Sequence, residues 1–354
     1  MRLAVVGASG AVGREMLRAL AERRFPAGEI RAFATARSAG RRVPFGDAEL
    51  TVEEYRDGAL AGIDLALFSA GGAAARTIVP GAAEAGTVCV DNSSAFRLEP
   101  GVPLVVPEIN GETLVGHRGI VANPNCTAIT ALMALAPLHR AFGLRSMVVS
   151  SYQSVSGTGM KGIRELAEQV EKLRGQEEML GRPDRAALPA GEVFGKTIAF
   201  NVLARCDAFT DGGFTVEETK MRAESRRILG LPDLAVSATA VRVPVMVGHA
   251  VSAFARFELE PGLDAARAAI EAFPGVALVD DPDGDAFPTP LDAAGADDVL
   301  VGRLRRAPDD RNALLLFSAA DNLRKGAALN AVQIAERLVA DGLLGGGFDV
   351  PAAR

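Results

Sequence analysis

The residues that could do chemistry gather first in Val121-Ala122-Asn123-Pro124-Asn125-Cys126-Thr127-Ala128-Ile129-Thr130, where a short apolar run meets a turn and then a helical pattern. Pro124 disfavours helical backbone at Asn123, and from Thr127 onward Ile129, Leu132, Met133 and Leu135 recur at helical spacing. Cys126 is therefore expected at or beside a helix N-terminus. Unpaired backbone N–H groups and the positive end of the helix dipole favour a thiolate there, and the thiolate is the nucleophile. A lone cysteine is more often a small buried hydrophobe, so the company it keeps decides.

That company lies further along the chain. Arg242 and His249 are seven apart and would point to opposite faces of one straight strand, but Pro244 and Gly248 interrupt it, so both side chains could converge at a bend. His249 is then a candidate base for Cys126, and Arg242 a fork for a substrate carboxylate. The strand pattern Arg145–Tyr152 ends at Gln153, an amide that can orient a carbonyl without changing its charge. Beyond it Gln153-Ser154-Val155-Ser156-Gly157-Thr158-Gly159 reads as a flexible loop, able through its glycines to lie against a cofactor. Thr215 and Glu218 have capping-box spacing, which puts Glu217 and Lys220 on one helical face. They fit an ordinary exposed ion pair, or opposite charges offered to a zwitterionic or phosphorylated ligand. His117 and His139 have no such context and read as structural.

The elements that must position these groups begin at the N-terminus. Leu3–Val6 reads as a buried strand running into Gly7-Ala8-Ser9-Gly10-Ala11-Val12-Gly13 and then the amphipathic run Glu15–Leu20. Strand, glycine turn and helix in that order let the backbone at Gly7, Ser9, Gly10, Ala11 and Val12 approach a pyrophosphate, with the helix N-terminus supplying donors. The next strand, Ile30–Ala34, ends in Thr35-Ala36-Arg37-Ser38, without the carboxylate that would meet NAD's ribose hydroxyls. Arg37 with Ser38 or Thr35 can hold a 2′-phosphate instead, which makes NADP the expected cofactor. Further apolar runs at 64–69, 87–91 and 119–122 each enter a polar or glycine turn, as in a parallel sheet covered on both faces. Ser69, Gly71, Gly72, Asn92, Ser93 and Asn125 should line one crevice beyond the strand ends, with Arg97 facing it from the following turn.

Pro137 should bend or end the helix that Cys126 begins. The charged, proline-containing stretch Gly175–Gly191 reads as an exposed connection. The final helical run, Ala327 to Leu343, is expected to pack back on the first domain, leaving Gly345-Gly346-Gly347 as a flexible tail. The expected division is 1–125 with 322–354 against 126–321. With 354 residues, two domains are the expectation. A net charge of −6 with scattered basic residues argues against a nucleic-acid partner. Cys89, Cys126 and Cys206 form no CxxC pair, so neither a disulfide framework nor a cysteine metal site is indicated, and Cys89 sits between valines as core. No apolar run suits a signal peptide or a membrane span, so a soluble, cytoplasmic protein is expected.

In combination, the glycine turn, Arg37-Ser38, Asn92-Ser93-Ser94 with Arg97, Asn125-Cys126-Thr127, Gln153, Glu217 with Lys220, Arg242 with His249, and Asp321-Asn322-Leu323 resemble the aspartate-semialdehyde dehydrogenase family over essentially the full length. The resemblance implies an α/β fold, with an N-terminal Rossmann-like NADP-binding domain and an α+β catalytic and dimerisation domain, assembled as a homodimer or tetramer. It implies NADPH-dependent conversion of L-aspartyl phosphate to aspartate semialdehyde with release of phosphate, in lysine, threonine and methionine biosynthesis. By the same resemblance Cys126 would form a thioester, and NADPH would deliver hydride to it. His249 would serve as general acid and base, and Gln153 would orient the acyl group. Arg242 would clamp the carboxylate and Glu217 take the α-ammonium. Arg97, Lys220 and Asn125 would hold phosphate, while Asn322 and the Ser156-Gly157 loop would position the nicotinamide. N-acetyl-γ-glutamyl-phosphate reductase shares much of this, but carries Gly-Cys-Tyr-Pro-Thr around its nucleophile and would have no use for Glu217. A non-catalytic NADP-sensing protein would need neither Cys126 nor His249.

Overall fold

The computed structural model describes residues 1–182, 184 and 188–345. Of the expected glycine tail, Gly346 and Gly347 lie outside the described residues, as does 346–354 of the range assigned to the first domain.

Seven strands form the first sheet: β1 Arg2–Val6, β2 Glu29–Ala34, β3 Arg42–Phe45, β4 Ala48–Glu54, β5 Leu65–Phe68, β6 Val88–Asp91 and β7 Ile120–Ala122. Their order is β3-β4-β2-β1-β5-β6-β7, parallel throughout except for the β3–β4 hairpin. Both faces are covered over β1, β5, β6 and β7, which is why these strands are apolar runs rather than alternating ones. Leu3, Val5, Leu65 and Leu67 share a core with the helices Ala11–Glu22 and Leu329–Ala340. Ala4, Val6, Ala66 and Phe68 belong to a second core with the helices Gly72–Glu84 and Cys126–Phe142. The chain's last described helix thus returns to the first sheet.

The helix Cys126–Phe142 is the hinge of the architecture. It is buried on every side from Thr127 to Leu138, so an all-round apolar surface replaces the usual single stripe. Pro137, expected to bend or end the helix, does not end it, and the helix runs on to Phe142. Packing against both sheets holds the backbone helical although Pro137 lacks the N–H that would close its own turn.

The second sheet lies against the other side of that helix. It contains β8 Leu144–Gln153, β9 Ala235–Arg242, β10 His249–Phe257, β11 Val276–Leu278, β12 Val299–Ala307 and β13 Asp310–Ala320, in the order β11-β12-β13-β10-β8-β9. Met147, Val149, Val251, Ala253, Leu314 and Leu316 face the helix within the same core as Ala4 and Val6. The helix Val216–Leu229 joins that core through Met221 and Ile228. Its start carries the expected capping box, Thr215 with Glu218. The stretch 175–191 is not wholly irregular, since a short helix, Glu177–Gly181, forms within it.

Strand direction decides where the site must be. β8 and β9 run parallel with Gln153 paired to Arg242, and β10 runs antiparallel to β8 with Ala250 opposite Tyr152. Gln153, Arg242 and His249 therefore emerge at one end of the second sheet. The Cys126 helix starts just past the carboxyl end of β7, so both sheets deliver their polar groups to one cleft.

Candidate active site

A cleft of about 520 Å³ lies between the two sheets. Its lining brings together Gly10, Ala11, Val12, Ser69, Asn92, Arg97, Asn125, Cys126, Gln153, Ser156, Gly157, Glu217, Lys220, Arg242, His249 and Asn322, all named in the sequence reading.

Asn125 is the N-cap of the helix, its Oδ1 accepting from the backbone N–H of Thr127 at 2.9 Å and of Ala128 at 3.2 Å. Capping fixes the first turn and with it Cys126. The other end of the Asn125 amide donates to Glu217 Oε1 at 2.9 Å. Against the opposite side of Cys126 lies Gly326, where a Cβ would fall 2.9 Å from the cysteine Cβ. No larger residue fits there without moving the sulfur.

The expectation of a ready thiolate is corrected by the surroundings. Burial pushes the Cys126 thiol up to about 11, the carboxylate of Glu217 adding to the rise, and the charges of Arg97 and Arg242 with a hydrogen bond from Thr127 only partly offset it. A helix end cannot outweigh desolvation plus a neighbouring carboxylate. His249 is fully buried and pushed the other way, down to about 3, by burial and then by Arg242, so its imidazole is neutral. Its Nδ1 accepts the backbone N–H of Ser154 at 3.1 Å, with Ser154 Oγ also 3.1 Å away. That bond places the neutral ring's proton on Nε2, which is buried and has no protein partner. Gly157 leaves room beside it, since a Cβ there would stand 3.3 Å from Nε2 and 3.0 Å from Arg242 Nη1.

Arg242 is anchored by Nη1 to the Ser154 carbonyl at 2.7 Å, which leaves donors of its fork uncommitted. Gln153 Nε2 reaches Ser151 Oγ and Glu217 Oε1, both at 3.2 Å. Glu217 is thus a hub that also accepts from Thr127 Oγ1 at 3.3 Å. Glu217 and Lys220 do not form an ordinary exposed pair, because Glu217 is buried and Lys220 is held more closely by another carboxylate. Lys220 lies 3.6 Å from Glu217 but 3.0 Å from Asp207. Burial opposes its charge, yet these two carboxylates raise its pKa. Arg97 spends three of its N–H groups on Asn123 O, Asn92 O and Glu224 Oε1, at 2.9, 3.0 and 3.1 Å, and keeps two.

The loop after Gln153 is not loose. Val155–Thr158 forms a 3-10 turn, and Asn322 Oδ1 accepts from Ser154 Oγ, Ser156 Oγ and the Gly248 N–H at 3.0, 3.1 and 2.9 Å. Buried hydroxyls need partners, and Asn322 supplies them.

The glycine turn fits a dinucleotide. Gly7 has φ +93°, and a Cβ on it would lie 2.3 Å from Ser69 O, while one on Gly13 would lie 2.2 Å from Gly7 O. Gly10, Ala11 and Val12 then present the helix N-terminus to the cleft. Ser9 sits within that turn. Thr35, Arg37 and Ser38 lie outside the cleft lining, at the carboxyl end of β2, in a 3-10 turn beside the glycine turn, which is tied to β2 by the N–H groups of Gly7 and Ala8 on Phe33 O. Arg37 is exposed there.

Sequence reasoning missed Ser154, Asp207, Glu224 and Gly326. For Glu224 a signal existed, because it follows Glu217 by seven residues and shares its helical face. For Ser154, Asp207 and Gly326 the contacts are long-range or steric, and spacing does not reveal them. His117 and His139 are structural, as expected: each accepts a backbone N–H at Nδ1, from Gly119 and Leu144. Cys89 is core.

Two sheets sharing one helix, a dinucleotide turn on one and a cysteine with a buried histidine between them define a nucleotide-dependent enzyme architecture of the semialdehyde dehydrogenase class. Family models agree: "Semialdehyde dehydrogenase, NAD binding domain" matches residues 2–117, and "Semialdehyde dehydrogenase, dimerisation domain" matches 135–325. The aspartate-semialdehyde dehydrogenase of Corynebacterium glutamicum is 48% identical over 349 residues, covering 95% of this chain and 99% of its own. That of Mycolicibacterium smegmatis is 46% identical over 351 residues, covering 96% and 99%. The structure of aspartate semialdehyde dehydrogenase II of Vibrio cholerae, complexed with ASA, superposes with a TM-score of 0.89 at 41% identity, covering 96% and 98%. The chain belongs to the aspartate-semialdehyde dehydrogenase family.

Proposed function

We propose that this chain catalyses NADPH-dependent reductive dephosphorylation of L-aspartyl-4-phosphate to L-aspartate-4-semialdehyde through a thioester on Cys126, in the biosynthesis of lysine, threonine and methionine. The observation that carries the reading is the meeting of Cys126, at a capped helix start, with a neutral His249 whose Nε2 proton faces the same cleft.

Arg97 and Lys220 hold the phosphoryl group, with the remaining N–H of the Asn125 amide beside them. Arg242 takes the substrate carboxylate in its free fork, and Glu217 the α-ammonium, which replaces an unfavourable neighbour of the thiol by a neutralised one. Gln153 orients the acyl carbonyl. Attack of the Cys126 sulfur on that carbon expels phosphate, and the thiol proton leaves with it as hydrogen phosphate. The glycine turn would hold NADPH, with Arg37, Ser38 and Thr35 at its 2′-phosphate and Ser69, Ser156, Gly157 and Asn322 towards its nicotinamide, and the bound cofactor would supply hydride to the thioester carbon. The oxyanion left by hydride addition accepts a hydrogen bond from His249 Nε2–H; as the carbonyl re-forms the C–S bond breaks, and the departing Cys126 sulfur takes a proton delivered through His249 Nε2 and replaced from solvent, which restores the thiol.

We place the division between units at 1–125 with 322–354 and 126–321, which puts the Cys126 helix at the head of the second. Among the described residues no helix is long and apolar enough to cross a membrane. The three cysteines are free thiols, which suits the cytoplasm.

The deciding assay is phosphate-dependent reduction of NADP by aspartate semialdehyde, run beside N-acetylglutamate semialdehyde and with Cys126→Ser. Turnover of the first alone, lost in the variant, is expected. Preference for the acetylated compound, or full turnover without the sulfur, would refute the reading.

A further inference from the structure

We infer that Glu224 is a positioning residue that locks the phosphate-binding guanidinium of Arg97 and the turn carrying Cys126 into one frame. This rests on the phosphate role proposed above for Arg97.

Glu224 is 1% exposed and lies on the helix Val216–Leu229, two turns beyond Glu217. Its two oxygens have different partners. Oε1 accepts Arg97 Nη1 at 3.1 Å, and Oε2 accepts the backbone N–H of Asn125 at 2.6 Å. Asn125 is the cap on which the cysteine's helix begins, so a single carboxylate joins the anion-facing cation to the residue immediately before the nucleophile. The intervening turn is gripped from its other side. Asn123 O accepts Arg97 Nε at 2.9 Å, and the Asn123 side chain is held by Asn92, Ala327 and Asn330. With Asn92 O on its Nη2, Arg97 has no rotational freedom left, and its two unused N–H groups have a fixed direction.

A glutamine at 224 fills the same volume but offers one accepting oxygen instead of two. Its NH2 would confront either an Arg97 N–H or the Asn125 N–H, donor against donor. One of the two groups must then shift, although neither is itself changed.

The test compares Glu224→Gln, Arg97→Gln and the double variant in phosphate-dependent reduction of NADP by aspartate semialdehyde. Glu224→Gln is expected to raise the KM for inorganic phosphate about tenfold while the KM for semialdehyde and for NADP stays within about twofold. In the Arg97→Gln background the same change should add nothing to the phosphate KM, since the arginine arm is already gone and the introduced amide can turn its NH2 to that side while its oxygen still accepts the Asn125 N–H. A uniform fall in kcat with an unchanged phosphate KM, or additive effects in the double variant, would overturn the role of Glu224. If Glu224→Gln alone does not fold, Arg97→Gln against the double variant decides by the same criterion. An unchanged phosphate KM in Arg97→Gln would instead remove the phosphate reading of Arg97 itself.

Discussion

At the scale of single residues, the site is set to hold its two reactive groups uncharged. A thiol near 11 and an imidazole near 3 make a neutral pair, in contrast to the thiolate–imidazolium pair of other cysteine enzymes. The sulfur is therefore protected until a ligand changes its surroundings. Glu217 is the adjustable part of that arrangement: a carboxylate beside the thiol opposes a second negative charge, so removing its charge must lower the thiol's pKa. In the free protein, iodoacetamide alkylation of Cys126 should still be accelerating with pH at pH 9. Glu217→Gln should shift that profile to lower pH and speed alkylation at pH 8 on the order of tenfold. A profile that stays in place would show that burial alone sets the thiol. The residue types that meet in the cleft were legible, since Cys126 begins a helix just after Pro124, Gln153 and Arg242 end strands, and His249 follows Gly248. Their protonation was not, because Glu217 and the buried environment come from distant parts of the chain.

The elements show the same division between what is local and what is not. Strand, glycine turn and helix announce themselves at Leu3–Leu20 because the pattern is contiguous, and the capping box at Thr215 likewise. The helix through Pro137 and the π turn Arg324–Ala328 did not, because tertiary packing sustains both. That π turn presses Gly326 onto Cys126 and is tied down on each side. Arg324 pairs with Glu15, Glu22 and Asp297, and Lys325, fully buried, reaches both oxygens of Glu108 at 2.8 Å with Asn330 and Gln333 completing its shell. Burial lowers the Lys325 pKa, and the Glu108 carboxylate works against that shift. Lys325→Met should strand the Glu108 carboxylate and cost roughly 3–5 kcal/mol of stability, read as a lower urea midpoint. Loss of stability below about 1 kcal/mol would mean that water or Gln333 replaces the ammonium at Glu108.

For the molecule as a whole, the second sheet has one face in the core, while among the described residues only one end of the other, at Ala250 and Ala319, is covered, by Ala293 of the helix Pro290–Ala293. Sheet alternation sends Val148, Tyr152, Phe254, Leu315 and Phe317 outward. The register sets Val148 and Leu315 on either side of Phe254, and Tyr152 stacks at a tilt against Phe317 with ring centroids 6.1 Å apart. Val148 is 53% exposed and Tyr152 38%. An antiparallel sheet can face water on one side, but then its outer residues are polar, and a contiguous apolar row instead marks a contact with another protein. Because the matched family model is a dimerisation domain spanning 135–325, the simplest partner is a second copy meeting face to face about a two-fold axis, each row packing on its counterpart. A charge placed in such a row would be buried twice, once from each copy, and without a countercharge. Val148→Asp is accordingly expected to convert a species of twice the 36.8 kDa chain mass into a single chain in light scattering, with the cores on the far side of the sheet left folded by far-ultraviolet circular dichroism. A variant that keeps the doubled mass would move the interface off this face.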